Sequence, residues 1–133
     1  MTRSAIRRAV AVIGAGGALA GAVVAGAGVA NAVEVPKYGN VRYVFCSDAQ
    51  EGNEITYYDG FGKRDEVVTL TDPMEGGRWC RNVDVLFASS SFVWSSIRHD
   101  EASYAFTAIY VNGALKAREE DRSSYGYAAA MAM

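Results

Sequence analysis

Thr107-Ala108-Ile109-Tyr110-Val111-Asn112-Gly113-Ala114-Leu115-Lys116-Ala117-Arg118-Glu119 is the stretch that decides the fold. Two alternating runs flank Asn112-Gly113, and Asn-Gly is the strongest short hairpin signal, because a type I′ turn needs positive φ at both central residues. A two-residue loop then sets the register. Val111 faces Ala114, Tyr110 faces Leu115, Ala108 faces Ala117 and Phe106 faces Glu119, while Ile109 meets Lys116 and Thr107 meets Arg118 on the other side. In this register Tyr104, Phe106, Ala108, Tyr110, Leu115 and Ala117 are predicted to face the core. Ser103, Thr107, Ile109, Lys116 and Arg118 are predicted to face water. A lone hairpin is marginal in water, so the remaining chain must supply a second layer.

Upstream, the pattern is strands throughout. Val41 to Cys46 alternates, with Val41, Tyr43 and Phe45 on one side, and a polar loop follows at Ser47 to Asn53. Glu54 to Tyr58 is β-branched and aromatic, turns at Asp59-Gly60-Phe61-Gly62 through a loop of two or four residues, and resumes over Asp65 to Thr71. Asp72 to Gly77 reads as a break. Arg78 to Phe87 alternates again, and Ser91 to Ile97 does so loosely. No window outside the N-terminal segment has sustained helical periodicity. About seven short strands with regular turn signals predict an all-β fold, a small antiparallel β-sandwich of the immunoglobulin-like kind.

Residues 1–32 are expected to lie outside that fold. Arg3, Arg7 and Arg8 form a basic start, Ala9 to Val29 is apolar throughout, and Ala30-Asn31-Ala32 has the small-x-small form of a signal cleavage site. The apolar run is about 21 residues, long enough to span a bilayer, so an uncleaved anchor is the alternative. Its Gly and Ala content makes it a weak membrane resident, which favours cleavage. Membrane contact is expected only if the segment stays uncleaved. Residues 33–133 then form one domain.

Charge and cysteines narrow the partners and the compartment. Three of the thirteen basic residues precede Val33 and all fifteen acidic ones follow it, so the remainder carries ten cations against fifteen anions, or −5. No basic stripe forms, and nucleic acid is not an expected partner. Cys46 and Cys80, in an exported chain of this size, read as one disulfide. It closes a loop of about 35 residues, for which chain entropy gives roughly 4 kcal/mol.

The residues that could carry chemistry form no reactive pattern. His99 is the single histidine and sits in the polar Arg98-His99-Asp100-Glu101. Ser89, Ser90, Ser91, Ser95 and Ser96 lie in no nucleophile elbow. Glu119-Glu120-Asp121 reads as a hydrated turn. Asp48, Glu51 and Asn53 are oxygen donors without the spacing of a calcium loop. Trp79 and Trp94 read as packing residues. No cofactor and no metal is expected, and no catalytic residue is assigned.

A resemblance adds to this reading. Ile55-Thr56-Tyr57-Tyr58-Asp59-Gly60-Phe61-Gly62, Pro73, Ile109-Tyr110-Val111-Asn112-Gly113 and Ser123-Ser124-Tyr125-Gly126-Tyr127-Ala128 resemble, in this order, the extracytoplasmic domain of the mycobacterial membrane protein small (MmpS) family. The likeness covers roughly two-thirds of the chain after residue 32. It differs at Thr107 and Met131, near which that family carries cysteines. The resemblance implies a β-sandwich outside the membrane and a role as an accessory factor to lipid or siderophore exporters.

The function expected is therefore that of a non-catalytic exported binding protein, in the envelope or secreted, with a protein partner that on this likeness is a membrane exporter. The alternative is a stand-alone secreted sandwich that binds another protein as an inhibitor or toxin-like factor. Without catalytic residues the chain has sheet faces and edges to bind with. Thr107, Ile109, Lys116 and Arg118 are the candidate surface. Ala128 and Ala130, in the uncharged C-terminal strand, are candidates if that strand docks a partner at an edge; otherwise it is paired inside the sheet. The mature N-terminus is expected to be Val33. Intact-mass measurement of exported protein checks this, and a mass retaining Met1 to Ala32 indicates the anchor.

Overall fold

A computed structural model describes residues 32–131; the segment 1–32 expected to be an export signal, apart from Ala32, lies outside them. Eleven strands and no helix make up the described chain: β1 (Val33–Val35), β2 (Asn40–Ser47), β3 (Asn53–Asp59), β4 (Gly62–Val68), β5 (Asp72–Met74), β6 (Arg78–Leu86), β7 (Ser91–Val93), β8 (Ser95–Arg98), β9 (Ala105–Val111), β10 (Ala114–Asp121) and β11 (Tyr127–Ala130). The excess over about seven comes from β1 and β5, three residues each and too short for alternation to declare, and from the Ser91–Ile97 run, which divides into β7 and β8 at Trp94.

All pairing is antiparallel. A major sheet of five strands runs β10-β9-β2-β6-β5, a minor sheet of four runs β11-β8-β3-β4, and β1 pairs with β7 alone. β2 is the centre of the major sheet. Its alternation puts Val41, Tyr43, Phe45 and Ser47 inside and leaves Asn40 and Arg42 exposed on the other face. Tyr43 and Tyr57, from β2 and β3, meet with ring centroids 5.5 Å apart, so the inner faces of the two sheets share one core. Ile55, Ile97 and Ile109 complete it, and Leu70 and Phe87 plug it from connecting segments.

The Tyr43 hydroxyl joins the layers by polar means as well. It donates to the Tyr58 carbonyl at 2.7 Å and accepts the Tyr58 amide at 3.3 Å. Burial pushes this phenol well above the usual range. A second buried polar pair, Ser95 Oγ with Thr107 Oγ1 at 2.7 Å, couples β8 to β9. Asn53, fully buried, holds the Ser47–Asn53 loop through Nδ2 bonds to the Ala49 and Gln50 carbonyls.

The opening hairpin forms as expected at its turn, with φ of 51° at Asn112 and 83° at Gly113. Its register holds for Val111 with Ala114 and Tyr110 with Leu115, and then changes. A bulge at Lys116 places Ala117 opposite Ile109, Arg118 opposite Ala108 and Glu119 opposite Thr107. The expected faces are reversed along β9: Thr107 and Ile109 are fully buried, while Phe106 and Tyr110 are half-exposed. β2 decides this, because Ile109 lies beside Tyr43 and Thr107 beside Phe45 on the inner face. With Tyr43, Phe45 and Tyr57 already there, the smaller side chains of β9 fit inside and the rings turn out. The bulge then returns Ala117 to the core, where it is fully buried.

Other turns resolve what spacing leaves open. Asp59 pairs with Gly62, so the β3–β4 loop has two residues, Gly60 and Phe61. Asp59 Oδ1 accepts the Phe61 amide at 2.7 Å. Glu119-Glu120-Asp121, expected as a turn, continues β10. Gly126 (φ 64°) lies where any Cβ would collide with the His99 carbonyl, so the turn into β11 requires glycine.

Cys46 and Cys80 form the expected disulfide. They sit opposite each other on β2 and β6, so the bridge links neighbours in one sheet and does not cross between the two. Their Cα separation of 4.1 Å marks a non-hydrogen-bonded pair.

β11 pairs with β8 and forms one edge of the minor sheet, yet Ala128 and Ala130 are buried and cannot be a docking surface. Only Tyr127 and Ala129 point the other way. Replacing Ala128 by Lys is expected to cost about 4 kcal/mol or more, since it puts an unpaired charge in the core. Tyr127→Lys should leave the melting temperature nearly unchanged. Thermal denaturation of the two variants checks the assignment.

Candidate functional site

β2, β6, β9 and β10 turn a second, outer face of the major sheet to solvent, built from the alternate residues of each strand. The described surface there has two shallow concavities. One, of about 560 Å³, is lined by Asn40, Arg42, Val44, Asn82, Asp84 and Tyr110. Arg42 and Asp84 lie opposite each other across β2 and β6 and form a two-pronged ion pair at 2.7 and 3.1 Å. Hydrogen bonding to Arg42 holds the Asp84 carboxyl below the usual carboxylate range.

The other concavity, about 610 Å³, has the disulfide and Phe106 at its base and Pro73, Met74, Glu75, Arg78, Tyr104, Arg118 and Glu120 around them. Phe106 comes to lie over the disulfide because β9 places it opposite Cys46. Arg78 stacks on Tyr104 with its guanidinium carbon 3.7 Å from the ring centroid, and Arg118 lies 5.3 Å from that of Phe106. Arg122 approaches the Tyr104 ring at 5.7 Å and binds Glu120 at 3.1 Å. The Tyr104 hydroxyl donates to Glu120 Oε2 at 2.8 Å. Each ring is thus held by a cation over its face, an arrangement that keeps both partners flat and fixed. The result is an apolar floor with guanidinium groups at its rim.

This network has a direction in pH. The Tyr104 hydroxyl first, and Arg122 second, hold the Glu120 carboxyl below its usual range, against the opposing effect of burial. Burial first, and the Glu120 bond second, raise the Tyr104 phenol.

The sequence-based candidates do not gather at one place. Arg118 belongs to the outer face. Lys116 projects at the bulge beside Glu34, Pro36 and Asn112, in a separate hollow. Thr107 and Ile109 are core residues, which corrects their assignment to the surface. Arg78, Tyr104, Phe106 and Glu120 are the residues that the sequence reading left out of the site. For Phe106 the signal was the aromatic alternation of β9, assigned to the wrong side; Arg78 and Glu120 come from β6 and β10.

Three of the candidate reactive side chains, His99, Ser95 and Asp48, have structural partners. His99 Nδ1 accepts the Glu101 amide at 3.1 Å and so caps its own loop. Ser95 is bonded inside the core to Thr107. Both carboxylate oxygens of Asp48 accept the Ser103 amide, at 3.0 and 3.2 Å, which pins the Ser47–Asn53 loop to the entry of β9. Trp79 is half-buried against the core, and Trp94 meets Tyr58 edge-on at 5.9 Å. Among the described residues no group of three or more His, Cys, Asp or Glu is placed to hold a metal ion.

Removing the Tyr104 hydroxyl tests the network. In Tyr104→Phe the Glu120 carboxyl is expected to titrate nearer the ordinary range, read by carbon-detected NMR of the side chain. In the unaltered protein the Glu120 contribution to stability is present above the ordinary carboxylate range and is lost as pH falls through the depressed value. The variant should therefore show a smaller loss of stability on acidification.

Comparison of the chain with family models, with curated proteins and with solved structures returned no match.

Proposed function

We propose that the protein is a non-catalytic, exported binding protein that docks a protein partner on the outer face of its major sheet. One observation carries this reading: Arg78 and Arg118, stacked on Tyr104 and Phe106, rim an apolar floor formed by the disulfide. Arginine and tyrosine are the side chains that dominate binding hot spots, and guanidinium groups already fixed on rings lose little freedom when a partner arrives. A concavity this shallow suits a convex protein surface better than an enclosed small molecule. The disulfide fits an oxidising compartment, and with the signal-like N-terminus it supports an envelope or secreted location. The likeness to MmpS domains supports a membrane exporter as the partner.

A photo-crosslinking amino acid at Phe106 tests this in the native host, with one at Val67, exposed on the outer face of the minor sheet, as control. A discrete adduct is expected from position 106, lost with Arg118→Glu, and none from 67. An adduct in the membrane fraction supports the exporter; one in the medium supports a free secreted binder. Equal labelling from both positions, or none from 106, contradicts the proposal.

A further inference from the structure

Among the described residues β6 is the longest strand, and most of one of its edges is open. β2 pairs with it along its length from Trp79 to Leu86, but on the other side β5 covers only Arg78 to Cys80. Which main-chain groups this leaves free follows from the disulfide. Cys80 lies in a non-hydrogen-bonded pair with Cys46 at a Cα distance of 4.1 Å, so its N–H and C=O point away from β2. Antiparallel ladders alternate, so Asn82, Asp84 and Leu86 also aim their N–H and C=O groups outward, while Arg81, Val83 and Val85 bond to β2. β5 satisfies Cys80. Pro73 agrees with this phase: it lies opposite Trp79, where an N–H would have pointed to solvent. Beyond β5 the edge carries no proline, no lysine and no break in the β2–β6 register, and its two charges are already engaged, Arg81 by the Thr69 carbonyl and Asp84 by Arg42.

We infer that this edge pairs with the same edge of a second copy, antiparallel across a two-fold axis, with Val85 on the axis. Opposed residues in an antiparallel pair point to the same face, so a two-fold axis normal to the sheet must pass through a residue paired with its own copy. An axis at Val83 would put Leu86 of one copy opposite Cys80 of the other, where β5 already sits. An axis at Asp84 would set two carboxylates against each other. The axis at Val85 avoids both. It pairs Val85 with Val85 at the close, non-hydrogen-bonded position and sets Asp84 against Leu86, whose free N–H and C=O groups then complete the ladder. It also covers Val85, half-buried in the single copy, and Leu86, which is 66% exposed there. The pairing is short, so a weak, concentration-dependent dimer is expected. It leaves the groove around Arg78 and Arg118 to the separate partner proposed above.

Sedimentation equilibrium of the exported protein, with two variants at Leu86, tests this. Leu86 points outward, so both substitutions should leave the single copy folded, which its melting temperature checks. Leu86→Asp opposes Asp84 of the other copy at two equivalent positions and should weaken the dimer roughly tenfold; Leu86→Arg should tighten it to a similar degree. Amide exchange supplies a second readout. The Asp84 and Leu86 amides should become protected as concentration rises, while Val83 and Val85, bonded to β2, are protected throughout. A protein that stays monomeric at millimolar concentration with fast exchange at Asp84 and Leu86 overturns the inference. Two variants that shift association in the same direction overturn it too, as does protection that appears only when a strand of another protein is added.

Discussion

Everything in this domain is arranged around the Tyr43 side chain. Its ring fills the space between the two sheets against Phe45 and Tyr57, and its hydroxyl engages both main-chain groups of Tyr58 on the facing sheet. A buried hydroxyl that lost those partners would strand polar groups in an apolar layer, at a cost of about 1–3 kcal/mol. The contact therefore fixes the spacing and the relative position of β2 and β3 at once. With the middle of the core filled by rings, the strand beside β2 must offer smaller side chains inward, and β9 does so with Ala105, Thr107, Ile109 and Val111. The outward turn of Phe106 and Tyr110 is a consequence of that packing.

The outer face is where this arrangement meets the proposed function. Because Cys46 and Cys80 are outward-facing neighbours, the bridge between them hardens the sheet surface and leaves the core to hydrophobic packing. The same alternation that exposes the bridge brings Arg78, Phe106 and Arg118 around it. Stability and the proposed binding are thus separated by side of the sheet: rings, isoleucines and the Ser95–Thr107 pair within, guanidinium groups on aromatic faces without.

Much of the architecture is legible in the residues. The Asn112-Gly113 turn, the alternation of β2 and the pairing of the two cysteines follow from local chemistry and counting. What stays hidden is relational. Alternation in β9 defines two faces but not which is inner, since that depends on what β2 has already placed there. The bulge at Lys116 is equally silent, because Leu115-Lys116-Ala117 reads as an ordinary alternating run and only the need to return Ala117 to the core reveals it. Ala128 and Ala130 do lie on an edge strand, yet their side chains turn inward, opposite Ile97 and Ser95 in the core. The site around Arg78 and Arg118 joins strands far apart in the chain, so no motif announces it.

The central claim is the assignment of faces along β9, from which both the core and the proposed binding surface follow. Hydroxyl-radical footprinting of the folded protein with residue-level mass analysis measures it directly. Phe106, Tyr110 and Met74 are expected to be oxidised readily while Ile109, Tyr43 and Phe45 are protected. Protection of Phe106 and Tyr110 together with modification of Ile109 would contradict the account.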